Sequence, residues 1–205
     1  MSWYDDNILP HLIDLACSVK PARKQREKIV PLAEGDVLEI GIGSGLNLPF
    51  YDPRKVRKIW GLEPSEGMRR LAAKTLEGTN LDLEFIDLPA EEIPLEANSV
   101  DTVLVTYTLC TIPNAATALE GMRRVLKPGG HLLFCEHGAA PDENIRRWQD
   151  RLNGGWGKIA GGCNMNRDIP EMIDAAGFRI VRDERMYIPG LRILSYNYWG
   201  SAVGK

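Results

Sequence analysis

An α/β architecture wound on a parallel sheet is expected from three features of this 205-residue chain. Short apolar runs alternate with helical patterns from about residue 36 to residue 135, the signature of a βαβ array. One of those runs, Val37-Leu38-Glu39-Ile40, carries an acid and opens into Gly41-Ile42-Gly43-Ser44-Gly45. Glycine tolerates positive φ and has no Cβ, so a bound nucleotide could lie against this main chain. The length, finally, suffices for one domain with a sizeable core and is too small for two.

Strands are expected near 36–41, 57–62, 82–86, 100–106, 130–136, 178–186 and 191–203. Helices are expected near 46–50, 65–77, 114–126, 142–153 and 168–176. Ser65 caps the second of these, and Met68, Leu71, Ala72 and Leu76 form its apolar stripe. Asn114 caps the third, whose buried face carries Leu119, Met122, Val125 and Leu126. Lys127-Pro128-Gly129-Gly130 then ends it with a cation, a helix breaker and turn-tolerant residues. Residues 138–168 depart from the pattern, because Trp148 and Trp156 stand close to five glycines between Gly154 and Gly162. That composition favours a substrate-side flap with aromatic anchors over a helix packed on the sheet. Ahead of the first strand, Leu9, Leu12, Ile13, Ala16 and Cys17 would share one helix face. The expectation is a single domain over 1–205 with an N-terminal helical cap over 1–30.

Composition bounds the function. With 44% hydrophobic and 26% charged residues the chain resembles ordinary globular proteins, and a net charge of -3 gives no reason to expect nucleic acid. The basic residues of 20–28 and 54–58 are balanced by acids elsewhere and read as solvated faces. No stretch approaches the ~20 apolar residues that span a bilayer. The first nineteen residues are interrupted by Asp5, Asp6, Asn7 and Asp14, unlike a secretion signal. A cytoplasmic protein without an integral membrane segment is expected. Cys17, Cys110, Cys135 and Cys163 form no CxxC pair, and His11, His131 and His137 are isolated, so no metal is expected. Intracellular thiols of this kind stay reduced.

The glycine spacing discriminates between cofactors. A dinucleotide loop would place its third glycine at position 46, where the chain has Leu46. Tyr51 and Lys55 have the spacing of a dehydrogenase Tyr-xxx-Lys pair, but Pro53 lies between them and they precede the second strand, so the pair is read as chance. The run acid-x-Gly-x-Gly-x-Gly, here Glu39, Gly41, Gly43 and Gly45, resembles motif I of class I methyltransferases, which bind S-adenosylmethionine (SAM). Glu63 follows Gly41 by 22 positions, about where an acid grips ribose hydroxyls in these folds. Its carboxylate offers two acceptors to two adjacent hydroxyls. Ligands of open α/β sheets bind at the carboxyl ends of strands near the switch in strand order, so Thr106 to Cys110, Leu109 included, would line the crevice. The resemblance implies that Ala90 and Glu91 meet the adenine, with Pro89 where an acid is common and Asp87 as a substitute. It covers residues 35–137. It implies a Rossmann-like, doubly wound, seven-stranded sheet, mostly parallel with an antiparallel last strand and helices on both faces.

The second half resembles a narrower group, small methyltransferases related to the animal alkyl-thiol S-methyltransferases. The likeness rests on Thr108-Leu109-Cys110, on the run from Arg124 to Gly130, on Glu136-His137, and on Gly162-Cys163-Asn164 followed by Arg167. It implies methylation of a small molecule, with thiol S-methylation first. N-methylation of a phospholipid or small amine, or SAM binding without turnover, are the alternatives. His137 ends the fifth strand and is the expected base, since imidazole titrates near neutrality and an ordinary thiol is only partly ionised there. Hydrogen bonding to backbone is its alternative role. Cys110 and Cys163 are expected as small lining residues, Trp148 and Trp156 as walls or anchors, and Asn164 and Arg167 as substrate-orienting groups or structural caps. The sequence names neither the acceptor nor an oligomeric state.

Overall fold

The computed structural model describes residues 14, 15 and 17–205. The expected face of Leu9, Leu12, Ile13 and Ala16 lies outside the described residues. The chain runs α1 (Lys20–Ile29), β1 (Gly35–Ile40), β2 (Val56–Leu62), α2 (Glu66–Leu76), β3 (Leu83–Ile86) and β4 (Val100–Thr106). It continues through α3 (Ala115–Val125), β5 (Leu126–His137), α4 (Glu143–Ile159), α5 (Ile169–Ala175), β6 (Phe178–Tyr187) and β7 (Tyr196–Gly204).

The seven strands form one sheet in the order β3-β2-β1-β4-β5-β7-β6. Strands β1 to β5 pair in parallel, and β7 runs antiparallel to both of its neighbours. Alternation along the strands sorts the core into two faces, as the period of two requires. Leu38, Ile40, Val103, Val105 and Phe134 pack with Leu119 of α3 and Ile173 of α5. Val37, Leu104, Leu133 and Cys135 pack with Ile29 of α1 on the other face. Strand order reverses between β1 and β4, so their carboxyl ends open onto a crevice.

Local chemistry explains where the helices start. Ser65 Oγ accepts from the Met68 N–H at 3.3 Å, and Asn114 Oδ1 accepts from the Thr117 N–H at 3.2 Å. Both satisfy amides that have no partner within their helix. Three boundaries differ from expectation. Strand β5 begins at Leu126, and four of its residues bulge against one of β4 between the Val100–Leu126 and Thr102–His131 pairs. Residues 191–203 are not one strand, because a 3₁₀ turn at Arg192–Leu194 precedes β7. The third difference is the largest. Within the 138–168 stretch expected as a flap, α4 does not end at the expected residue 153 but continues to Ile159, with only Gln149 of it buried. A Cβ built at Gly154 or Gly155 would meet nothing within 4 Å, so neither glycine is there for a close approach. The helix stops instead at Gly161 and Gly162, which both have positive φ.

Candidate active site

Two cavities open at the carboxyl ends of the central strands. The first, of about 360 Å³, lies against the glycine loop and is lined by Gly41, Gly43, Asn47, Glu63, Ser65 and Thr106 among others. The three glycines of the loop divide the work. All have positive φ, at +64°, +57° and +79° for Gly41, Gly43 and Gly45. A Cβ on Gly41 would strike Thr108, and one on Gly45 would strike Leu48 and crowd Ala72 of α2. On Gly43 it would meet only the Gly41 carbonyl oxygen at 3.8 Å. Gly43 is therefore the position where bare backbone faces open space.

Glu39 does not line this cavity. It is 1% exposed, and its carboxylate accepts from Asn47 Nδ2 at 2.8 Å and from the Tyr51 hydroxyl at 2.7 Å. Burial pushes the carboxyl up to about 7, against the pull of those two hydrogen bonds. Asn47 Nδ2 also donates to Thr106 Oγ1 at 2.9 Å, which leaves the buried Asn47 Oδ1 without a partner. Glu39 thus acts through Asn47. Asn47 and Tyr51 are missed from sequence, although a signal exists: an acid in the middle of a central strand must find donors nearby.

Glu63 does line the cavity, at 9% exposure. Its two oxygens accept from the Gly43 N–H at 3.1 Å and the Ser65 N–H at 2.9 Å, tying the glycine loop to the start of α2. Burial raises this carboxyl too. Each oxygen keeps a lone pair for a ligand hydroxyl. Ala90 and Glu91 lie elsewhere: Ala90 is packed in the core, and the Glu91 carboxylate accepts from the Asn114 N–H at 3.0 Å.

The second cavity, of about 520 Å³, is largely apolar, with Val19, Trp156, Ile159, Ile188, Leu191 and Leu194 in its wall. Cys110, His137 and Cys163 also border it. Their ligating atoms lie within 4.8 Å of one another, and His137 Nε2 is 3.2 Å from Cys163 Sγ. Cys163 is held well below the usual thiol range, first by the hydrogen bond from Cys110 and then by His137, while Cys110 is pushed well up. Burial pulls the His137 imidazole down, but its bond to the Cys163 sulfur and that sulfur's charge outweigh this, so it is raised. The two cavities share Cys17, Tyr107, Thr111 and Gly161 as common walls.

Tyr107 sits at that junction with a left-handed backbone (φ +54°), which a side chain adopts only when its surroundings compel it. Its hydroxyl donates to Asn197 Oδ1 at 2.7 Å, and the Arg26 guanidinium lies 4.9 Å from its ring centre. The loop that follows is braced from two sides. Glu136 Oε1 accepts from the N–H groups of Thr108 and Leu109 at 2.8 and 3.0 Å, and burial pushes this carboxyl up to about 7. From the other side Asn164 donates its N–H and Nδ2 to the Cys110 carbonyl, and Arg167 reaches the carbonyls of Leu109 and Ile112. Asn164 and Arg167 are therefore struts for the loop, outside both cavity walls. Leu109 is wholly buried in the core, and Trp148 is 52% exposed beside Arg151, outside the lining of the second cavity. Trp156 is the tryptophan that lines it.

Residues 38–134 match the family described as a methyltransferase domain. That stretch is a methyltransferase domain. It is 32% identical to human thiol S-methyltransferase TMT1B over 157 residues, which is 75% of this chain and 64% of that protein. Against human thiol S-methyltransferase TMT1A the identity is 30% over 163 residues, 78% of this chain and 66% of the relative. The chain spans just under two thirds of the length of these relatives. A crystal structure of a methyltransferase from Bacillus halodurans shares the fold, with a TM-score of 0.68 at 17% identity over 88% of this chain and 95% of that one. A methyltransferase domain implies SAM as the methyl donor, and the residues fit it. Gly43 leaves a backbone cradle, Glu63 offers acceptors for ribose hydroxyls, and the orphaned Asn47 Oδ1 can accept from an ammonium. No helix among the described residues is long and apolar enough to cross a membrane.

Proposed function

We propose that this chain methylates the sulfur of a small, largely apolar thiol, with SAM held in the glycine-loop cavity. The observation that carries this reading is the junction of the two cavities at Tyr107 and Thr111. A polar site with ribose and ammonium partners meets an apolar one bordered by sulfur and imidazole. When bound, SAM would supply a methyl group that an incoming nucleophile takes in line as the carbon–sulfur bond breaks and S-adenosylhomocysteine leaves. The chain's own contribution is alignment. Rigid walls that fix donor and acceptor across the junction replace a bimolecular encounter, an effect that alone supplies much of such a rate. An apolar acceptor seated against this wall would displace water as it docks, and a dry site favours cancelling a thiolate against a sulfonium.

The acceptor thiol must lose its proton. His137, the expected base, has its Nε2 engaged by Cys163, so the group positioned to ionise the acceptor is the Cys110–His137–Cys163 cluster rather than a free imidazole. A cytoplasmic setting would keep both of those cysteines reduced. The test is incubation with SAM and separate panels of alkyl thiols, amines and phenols, read by product mass and S-adenosylhomocysteine release. Methylated thiols are expected. Methylated amines or phenols without any methylated thiol would overturn the acceptor, and tight SAM binding with no turnover would overturn the enzyme.

A further inference from the structure

We propose that Cys110, His137 and Cys163 form a zinc site whose fourth position opens into the acceptor cavity. The geometry carries the case. Two sulfurs and the imidazole lie within 4.8 Å of one another, all three at the wall of one cavity. Tetrahedral zinc with bonds near 2.3 Å to sulfur and 2.0–2.1 Å to nitrogen holds its ligand atoms about 3.6–3.8 Å apart. The Cys163–His137 contact of 3.2 Å needs to open by only a few tenths of an ångström to reach that spacing.

The three ligands are also set in place independently of any ion. Cys110 follows β4 on a loop whose carbonyl at that residue accepts two hydrogen bonds from Asn164. His137 is the last residue of β5 and pairs with Asn197 of β7. The Cys163 N–H donates to the Ala160 carbonyl at 3.1 Å, in the turn that ends α4. Two thiolates and an imidazole suit zinc, and carboxylate-preferring cations such as magnesium are poorly served by this set. Three protein ligands beside a cavity is the arrangement of a working zinc site, since purely structural sites close the fourth position with protein.

The consequence for the acceptor rests on the thiol reading above. An acceptor thiol entering the apolar cavity takes the fourth position, gives its proton to solvent, and is presented as a thiolate toward the junction at Tyr107. His137 is then a ligand rather than a base. The metal site itself does not depend on that reading.

The experiment uses the full chain, purified reduced. It is equilibrated with zinc, freed of unbound metal by gel filtration, and assayed for bound metal; a second sample is loaded with cobalt(II) and examined by absorption. About one zinc per chain is expected, with affinity at least about 10-fold weaker in Cys163→Ser and His137→Ala. The cobalt form should show sulfur-to-metal charge transfer that grows when butanethiol is added. Far-ultraviolet circular dichroism and SAM affinity show that the variants remain folded. Failure of the reduced wild type to retain zinc, or equal retention by both variants, overturns the site. So does a Cys110–Cys163 disulfide in a chain that takes no metal after reduction. A cobalt spectrum indifferent to butanethiol overturns the open fourth position. Thiols that go unmethylated despite an intact butanethiol-sensitive cobalt spectrum count against the thiol reading and leave the metal site standing.

Discussion

The glycine-loop cavity and the sulfur-lined cavity are built on opposite plans, although they share a wall. The first is built around the glycine loop, with further lining from the ends of β2 and β4, and its polar side chains are held by near neighbours: Glu39 fixes Asn47, and Glu63 ties Gly43 to Ser65. The second takes its reactive groups from positions 110, 137 and 163, on three separate elements, and surrounds them with apolar side chains. A pre-braced polar cradle suits one fixed ligand, whereas an apolar chamber with a few reactive atoms tolerates a range of acceptors. The contrast predicts that substitutions in the lining of one cavity can change its ligand without rebuilding the other.

Substitutions can break that separation or sharpen it. The largest effect is expected from Gly43→Val, which places a branched side chain in the cradle at positive φ; calorimetry should detect no SAM binding, while circular dichroism stays native. Next come the two buried carboxyls, one serving each cavity. Glu39 and Glu136 are both pushed from 4.5 to about 7, so the folded chain binds protons there that the unfolded chain has released. Their contribution to stability is complete below about pH 4.5 and is lost as pH rises through about 7, on the order of 3 kcal/mol each. Urea unfolding at a series of pH values should show this decline, and Glu39→Gln and Glu136→Gln should each remove part of it.

His137→Ala tests the acceptor side alone. Turnover should fall about 100-fold with SAM affinity unchanged, and a parallel loss of SAM binding would show that the halves are not separable. Glu39→Ala is the mirror experiment. It leaves Asn47 less constrained and should weaken SAM binding about 10-fold, with a loss of stability of about 2 kcal/mol from the unpaired Tyr51 and Asn47 donors. The smallest effect belongs to Trp148→Ala. Because that ring lies on the surface, turnover should stay within about 2-fold of wild type.

The same contrast explains what could be read from sequence. Strands β1 to β4 and β6 lie within a residue or so of expectation, because they are apolar or alternating runs flanked by turn residues, whereas β5 starts four residues early and β7 five residues late. The glycine loop and Glu63 were legible for a similar reason, being local turn chemistry next to a strand. The cysteine–imidazole cluster left no such trace, since its members are 26 and 27 residues apart and meet only once β4, β5 and the end of α4 are assembled. For Asn164 and Arg167 the sequence leaves substrate orientation and a structural role both open, because no pattern of side-chain types reveals that they bond to the backbone of the loop. The glycines near Trp156 misled, because a helix carrying surface glycines is weakened without being ended by them.

The common wall at Cys17, Tyr107, Thr111 and Gly161 has one more consequence. Ligands in the two cavities would touch the same four residues, so any coupling between their equilibria would be reciprocal. Whatever factor the acceptor contributes to holding SAM, SAM returns to the acceptor. Tyr107, held in a costly backbone conformation by Asn197 on one side and Arg26 on the other, is the residue through which that exchange is expected to pass, and double-mutant cycles with Asn197 would measure its size.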